Sequence, residues 1–290
     1  LTTEMCCAIQ NKMRKIDYLQ HPIRHIDLSR TTSISDLVKA FETSSFQSRN
    51  LSRCHQVMIE MLKDGEAVIF LGLSGAMVPA GMRKIIADMI CKGMIDVLVS
   101  TGANMSHDLL EGMGFRHYIG PEQIDDTELM KHGLDRIYDT LAIDEEFGRV
   151  EEEVARIADG LEPKAYSSRE LMDILGSLIE DPNSILQSAH KEGVPVFVPA
   201  LSDSAIGIGL TLHYRNRRKE GKSPLCIDQL RDNFEIMQIK HQARRSGVIY
   251  VGGGVPKNYI QQLSPMMDTL GLGQKGHDYA LQITTDDAKW

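Results

Sequence analysis

Three consecutive glycines, Gly252-Gly253-Gly254, close the apolar run Val248 to Val251 and lead into Val255-Pro256-Lys257-Asn258-Tyr259. A glycine run at a strand end is costly in backbone entropy unless the chain there must pass close to a ligand or another segment. Gly72 to Gly81 (GLSGAMVPAG) follows another apolar run, and its small residues and its donors near a helix start would suit a phosphate or pyrophosphate. It is not GxGxxG, and a glycine-rich turn can also be only a turn. Ser100-Thr101-Gly102-Ala103-Asn104-Met105-Ser106-His107-Asp108 offers hydroxyls and a carboxamide, and Pro199-Ala200-Leu201-Ser202-Asp203-Ser204 offers a carboxylate. Asn104 or Ser106 could equally cap a helix beginning near Asp108, and His107 could be a hydrogen-bonded surface residue.

These four segments gain meaning from the elements before them. Ala67 to Leu73 (AVIFLGL), Ile95 to Ser100 (IDVLVS), Val194 to Val198 (VPVFV) and Val248 to Val251 (VIYV) are continuous apolar, β-branched runs, the pattern of strands buried on both faces. A fifth run, Tyr279 to Thr285, is more polar and suits an edge. Helical periodicity fills Met82 to Lys92, Leu129 to Leu141, Val150 to Leu161, Ser168 to Lys191 and Ile227 to Ala243. Alternating strands and helices predict an α/β fold, doubly wound, with a mainly parallel sheet, helices on both faces and right-handed crossovers. All four loops then fall beyond the carboxyl ends of strands, where such sheets bind ligands. A nucleotide site follows as the expectation, with the reaction left open. The 290 residues are expected to form a single domain, with residues 1–50 as an extension and residues 122–192 as a helical excursion between sheet strands.

The net charge of −8 argues against nucleic-acid binding, which needs a basic face, and would suit a cationic small molecule. The basic cluster Arg215, Arg217, Arg218 and Lys219 reads as a solvated helix end. Five cysteines without CxxC spacing, and histidines without HExxH spacing, give no expectation of a metal site. No apolar run reaches membrane-spanning length and residues 1–13 lack a signal-peptide pattern, so the expected location is cytoplasmic.

Five ordered segments together resemble the deoxyhypusine synthase family from end to end: FETSSFQSRNLSR (Phe41 to Arg53), IFLGLSGAMVPAGMR (Ile69 to Arg83), IDVLVSTGAN (Ile95 to Asn104), VPALSDSAIG (Val198 to Gly207) and VGGGVPKNYI (Val251 to Ile260). The resemblance implies a Rossmann-like fold assembled as a homotetramer, with NAD and amine sites at a dimer interface. It implies oxidation of spermidine or a related polyamine and transfer of the aminobutyl piece, as an imine on a lysine, to a protein acceptor or to putrescine. For NAD it implies Ser74, Gly75, Ala76, Ser100, Thr101, Gly102, His107, Asp203, Gly253, Thr285 and Asp286, and for the amine Lys257, Asn258 and Gln262.

The departures fall in the amine half. Ser106 and His107 stand where the family has paired acidic residues, Ile208 stands for an aspartate, and Asn258 stands for a histidine. The family's reactive lysine, in a Trp-Gly-Lys motif, would lie beyond Trp290, and Lys289 does not match it. The resemblance therefore implies an NAD-dependent transferase with an altered amine. A homospermidine synthase-like enzyme and an inactive NAD-binding or assembly module are its alternatives.

Overall fold

The computed structural model describes residues 15–121 and 123–285. The chain divides into two compact units with the boundary between Ile59 and Glu60, where the sequence predicts a single domain. The first unit contains the helix Ile34–Ala40, capped by the Ser33 hydroxyl on the Asp36 N–H, and most of the helix Phe46–Lys63.

The second unit is built on five parallel strands: β1 (Ala67–Leu73), β2 (Val97–Ser100), β7 (Val196–Phe197), β9 (Arg245–Val251) and β10 (Tyr279–Ile283). Their order is β10-β9-β1-β2-β7. Counted along the chain this is fifth, fourth, first, second, third, the Rossmann arrangement, and its switch point lies between β1 and β9. The register β1/β9 runs unbroken from Ala67↔Arg245 to Leu73↔Val251, so both strands end level at one edge. Alternate side chains explain the continuous apolar runs. Phe70 of β1 joins Val97, Val99, Phe197, Val248 and Tyr250 in a core covered by Ile236, Tyr259, Ile260 and Leu263. The intervening Ile69, Leu71 and Leu73 point to the opposite face and are buried as well. The edge position expected of Tyr279 to Thr285 is observed for β10.

Residues 122–192 differ from the all-helical expectation. The helix Asp126–Lys131 stops at Gly133, which adopts φ 64°, and the chain continues as a hairpin, β4 (Leu134–Ile137) and β5 (Thr140–Ile143). With β3 (Tyr118–Ile119) it forms an antiparallel sheet in the order β3-β5-β4. Leu134, Ile137 and Leu141 lie three and four residues apart, which imitates a helix, but Tyr138 at φ 56° makes the turn. The long helix expected from Ser168 to Lys191 is two, Ser168–Ser177 and Ile185–Glu192, separated by Asp181-Pro182-Asn183. Two further short strands, β6 (Ala165–Tyr166) and β8 (Cys226–Ile227), pair in parallel. Among the described residues no helix is long and apolar enough to cross a membrane.

Candidate functional site

The helix that follows β2 begins earlier than its sequence suggests. It spans Gly102–Gly112, and its cap is Thr101, whose Oγ1 accepts the Asn104 N–H at 3.3 Å. Neither Asn104 nor Ser106 is the cap. The Ser106 hydroxyl instead accepts the Ile206 N–H at 3.1 Å and ties this helix to the one starting at Ala205. Gly102 is required by packing, since a Cβ there would lie 2.6 Å from Ser204 Oγ.

The glycine run after β9 has a comparable reason. Gly252 and Gly254 have φ of 75° and 56°, a region disfavoured for residues with a Cβ. Ser74 bridges the two loops at the switch point: its N–H and hydroxyl both donate to Val251 O, at 2.9 and 3.1 Å, and its Oγ accepts the Gly253 N–H at 2.8 Å.

These constraints leave a cleft of about 350 Å³ at the carboxyl edge of the sheet. It is lined by Gly75 and Ala76 after β1, Thr101, Gly102, Ala103, Asn104 and His107 after β2, Ala200 and Asp203 after β7, and Val255 after β9, with Ile137 contributed by the hairpin. Four loops from separate parts of the chain thus converge on one volume, within the roughly 300–1,000 Å³ usual for small-molecule sites.

Of the positions expected at a cofactor, Gly75, Ala76, Thr101, Gly102, His107 and Asp203 line this cleft. Ser74 and Ser100 are buried behind it, with the Ser100 hydroxyl 3.4 Å from Leu73 O, and act as supports. Gly253 is held by Ser74, Thr285 is exposed beyond β10, and Asp286 lies outside the described residues. The amine candidates Lys257, Asn258 and Gln262 follow the glycine run and do not line the cleft. Lys257 Nζ donates to Gln282 Oε1 at 2.7 Å, while Gln282 Nε2 donates to Gly252 O at 2.8 Å, so the lysine braces the glycine loop.

Three features of the cleft suit a phosphorylated, amide-bearing cofactor such as NAD. The first N–H groups of the helix Gly102–Gly112 have no partner within the helix and carry its positive dipole end. Gly75 and Gly102 let a ligand approach the backbone. Asn104 is 1% exposed, its Oδ1 accepts the Val78 N–H at 3.4 Å, and its Nδ2 has no partner among the described residues. A buried donor of this kind is normally satisfied, and a ligand acceptor would satisfy it.

Sequence reading did not anticipate Ile137 or the surroundings of His107. The His107 ring meets Phe147 edge-on at 5.4 Å, and its Nδ1 lies 2.9 Å from Nε2 of His117. Nδ1 of His117 lies 2.7 Å from Glu111 Oε1. His107 is therefore not a surface residue; burial, followed by the neighbouring His117, lowers its pKa to about 4. The i, i+4 spacing of His107 and Glu111 was a visible signal, but His117 enters only through the chain's approach to β3.

A buried ion pair anchors the same helix. Asp108, fully buried, accepts from Arg83 Nε at 2.6 Å, Ser184 Oγ at 2.8 Å, and the N–H groups of Ile185 and Leu186 at 3.0 and 2.8 Å. Arg83 also donates to Asp181 Oδ2 at 2.5 Å and to Asp108 O at 3.1 Å.

A Rossmann-type sheet with a small-molecule cleft at its carboxyl edge defines a broad class, and family comparison narrows it. The deoxyhypusine synthase family model matches residues 36–290, and the chain belongs to that family. Among its relatives, "Probable deoxyhypusine synthase 2" of Methanosarcina acetivorans is 46% identical over 277 residues, covering 94% of this chain and 79% of that protein. A "Deoxyhypusine synthase-like protein" of Chlorobaculum tepidum is 37% identical over 286 residues, covering 97% and 81%. The crystal structure of a putative deoxyhypusine synthase from Entamoeba histolytica shares the fold, with TM-score 0.59 and 18% identity over 80% of this chain and 79% of that one.

Proposed function

We propose that this protein is an NAD-dependent transferase that removes an aminobutyl group from spermidine or a related amine and passes it on through an imine. The observation that carries the reading is the convergence of Gly75, Ala76, Thr101, Gly102 and Asp203 on one cleft, in a chain of the deoxyhypusine synthase family. NAD, when bound, accepts hydride from the carbon beside the amine nitrogen. The helix N-terminus at Gly102 and Ala103 would hold its phosphates, Asn104 Nδ2 would donate to it, and Asp203 would accept from a ribose hydroxyl or an amide. Ser74 and Lys257 keep the loops that flank it in place.

Asp203 is the carboxylate of the cleft lining, and Ile208 on the following helix is 52% exposed. An apolar side chain in place of an acidic one favours an amine other than the one the hypusine enzymes handle. The acceptor is a second amine, such as putrescine, or a lysine of a protein, and the assembly proposed is a homotetramer with sites at a dimer interface.

The test is a screen of spermidine, putrescine and agmatine for NADH formation by the full-length protein, alongside calorimetric titration with NAD. Binding of NAD with NADH release on one amine is expected, and analysis of products made with putrescine then identifies the acceptor. Absence of NAD binding would overturn the reading. NAD binding without oxidation of any amine would leave a binding or assembly module in its place.

A further inference from the structure

The hydrogen-bonded chain His107–His117–Glu111 is not absorbed by cofactor binding, and it has a direction. Glu111 Oε1 can only accept from His117 Nδ1, across 2.7 Å, when the carboxylate is ionised. A neutral His117 that donates from Nδ1 has its lone pair on Nε2. Its Nε2 must then accept from His107 Nδ1 across 2.9 Å. That places the lone pair of His107 on Nε2, which has no hydrogen bond among the described residues, on a ring that lines the cleft. The tautomers of both rings follow from one fixed carboxylate.

We propose that His107 is the base of this site, taking a proton from the nitrogen of an amine bound in the cleft, with His117 and Glu111 as positioning residues that carry the charge away. The inference rests on the amine reading above. In the step, the substrate N–H bond breaks and a His107 Nε2–H bond forms. The His107 Nδ1–H bond breaks and a His117 Nε2–H bond forms. One positive charge thereby leaves the substrate nitrogen and comes to rest on His117, against the Glu111 carboxylate, and the amine keeps the lone pair that hydride removal from the adjacent carbon requires.

The surroundings suit each member to its part. His107 is held neutral by burial and by His117, which leaves the Nε2 lone pair unprotonated in the resting site. His117 has a side chain only 5% exposed and reaches Glu111 directly. Glu111 faces Arg83 as well, whose Nη1 is 3.5 Å from Oε2. The uncharged Phe147 ring packs against His107, and Asp203 lines the same cleft. A neutral imidazole also explains how a site with few carboxylates can handle an amine: it abstracts the proton instead of gripping the cation.

The experiment combines nitrogen NMR of histidine-labelled protein with kinetics. With assignments from His107→Gln and His117→Gln, His107 is expected as the neutral Nδ1–H tautomer at pH 7, and added putrescine should shift both His107 and His117. A His107 proton on Nε2, or a shift confined to His107, would overturn the relay whether or not any amine is oxidised. In the amine-dependent NADH assay, His107→Ala should lower kcat by about 100-fold at saturating NAD, with partial rescue by free imidazole. Glu111→Gln should lower kcat by about tenfold and move the acid limb of the pH–rate profile. Unchanged kcat in either folded variant would refute the proposal, and melting curves confirm the fold. A wild-type protein inert toward every amine defeats the amine reading instead, and the tautomer result still decides the relay.

Discussion

Replacing Asp108 by asparagine tests what holds the helix of the cleft in place. Asp108 Oδ1 accepts from Arg83 Nε and the Ile185 N–H, and Oδ2 accepts from the Ser184 hydroxyl and the Leu186 N–H. Each oxygen faces donors, so either orientation of an asparagine amide sets its NH2 against a backbone N–H. The substitution also leaves Arg83, whose side chain is 7% exposed, with less compensation for its buried charge. Removing one partner of a buried ion pair costs about 3–5 kcal/mol. For a chain of this size that lowers the thermal midpoint by roughly 6–20 °C. The control is Asp181→Asn, which removes a more exposed carboxylate partner of Arg83, 21% exposed, and should cost about 1–2 kcal/mol. Calorimetric or fluorescence melts of the three proteins decide the matter. A D108N variant within about 1 kcal/mol of the parent, or equal losses in both variants, would refute the reasoning that this carboxylate organises three helices.

Gly252→Ala forces a Cβ into φ 75° and into the Ser74 hydroxyl, so it should cost about 1–3 kcal/mol and weaken NAD binding measured by calorimetry. Gly65→Ala, which meets nothing within 4 Å, should leave binding unchanged. His107 and His277 both have pKa values lowered to about 4, chiefly by burial, so the unfolded chain binds more protons between pH 6.5 and 4. Stability should therefore fall as pH drops through that window, by at most about 1.4 kcal/mol per unit for each histidine, and urea midpoints of the His107→Gln/His277→Gln double variant should vary less there. Lys240, 1% exposed, donates to Ser246 Oγ at 2.5 Å and Gly276 O at 2.7 Å, so Lys240→Met should cost about 1–3 kcal/mol in the same urea titrations through the stranded carbonyl.

The sheet was legible because its strands are buried on both faces. Ala67–Leu73 is recovered to the residue, and the other strands differ only at their ends, where pairing partners set the limit. The rim loops were legible for a related reason: Gly102 and Gly252 are dictated by close approach and by positive φ, which no other residue type meets as easily. The hairpin from Leu134 to Ile143 was hidden because half-buried strands of four residues give too few positions to separate a period of two from one of 3.6. Its turn lacks the Asn-Gly or Asp-Gly that would have marked it, since Tyr138 takes the left-handed position.

That hidden segment changes how the site is divided. The glycine- and hydroxyl-rich loops that suit a nucleotide all issue from the central sheet, and family resemblance falls on them. His117 stands next to β3, Ile137 ends β4, and Phe147 belongs to the helix Asp144–Gly160, so all three come from the stretch around the small antiparallel sheet. Two of these three side chains meet His107 and the third lines the same cleft. An imidazole at position 107 is a directed proton acceptor only if something orients it, and His117 is placed to do so. In the proposed relay His107 and His117 act together, although different segments of the chain carry them.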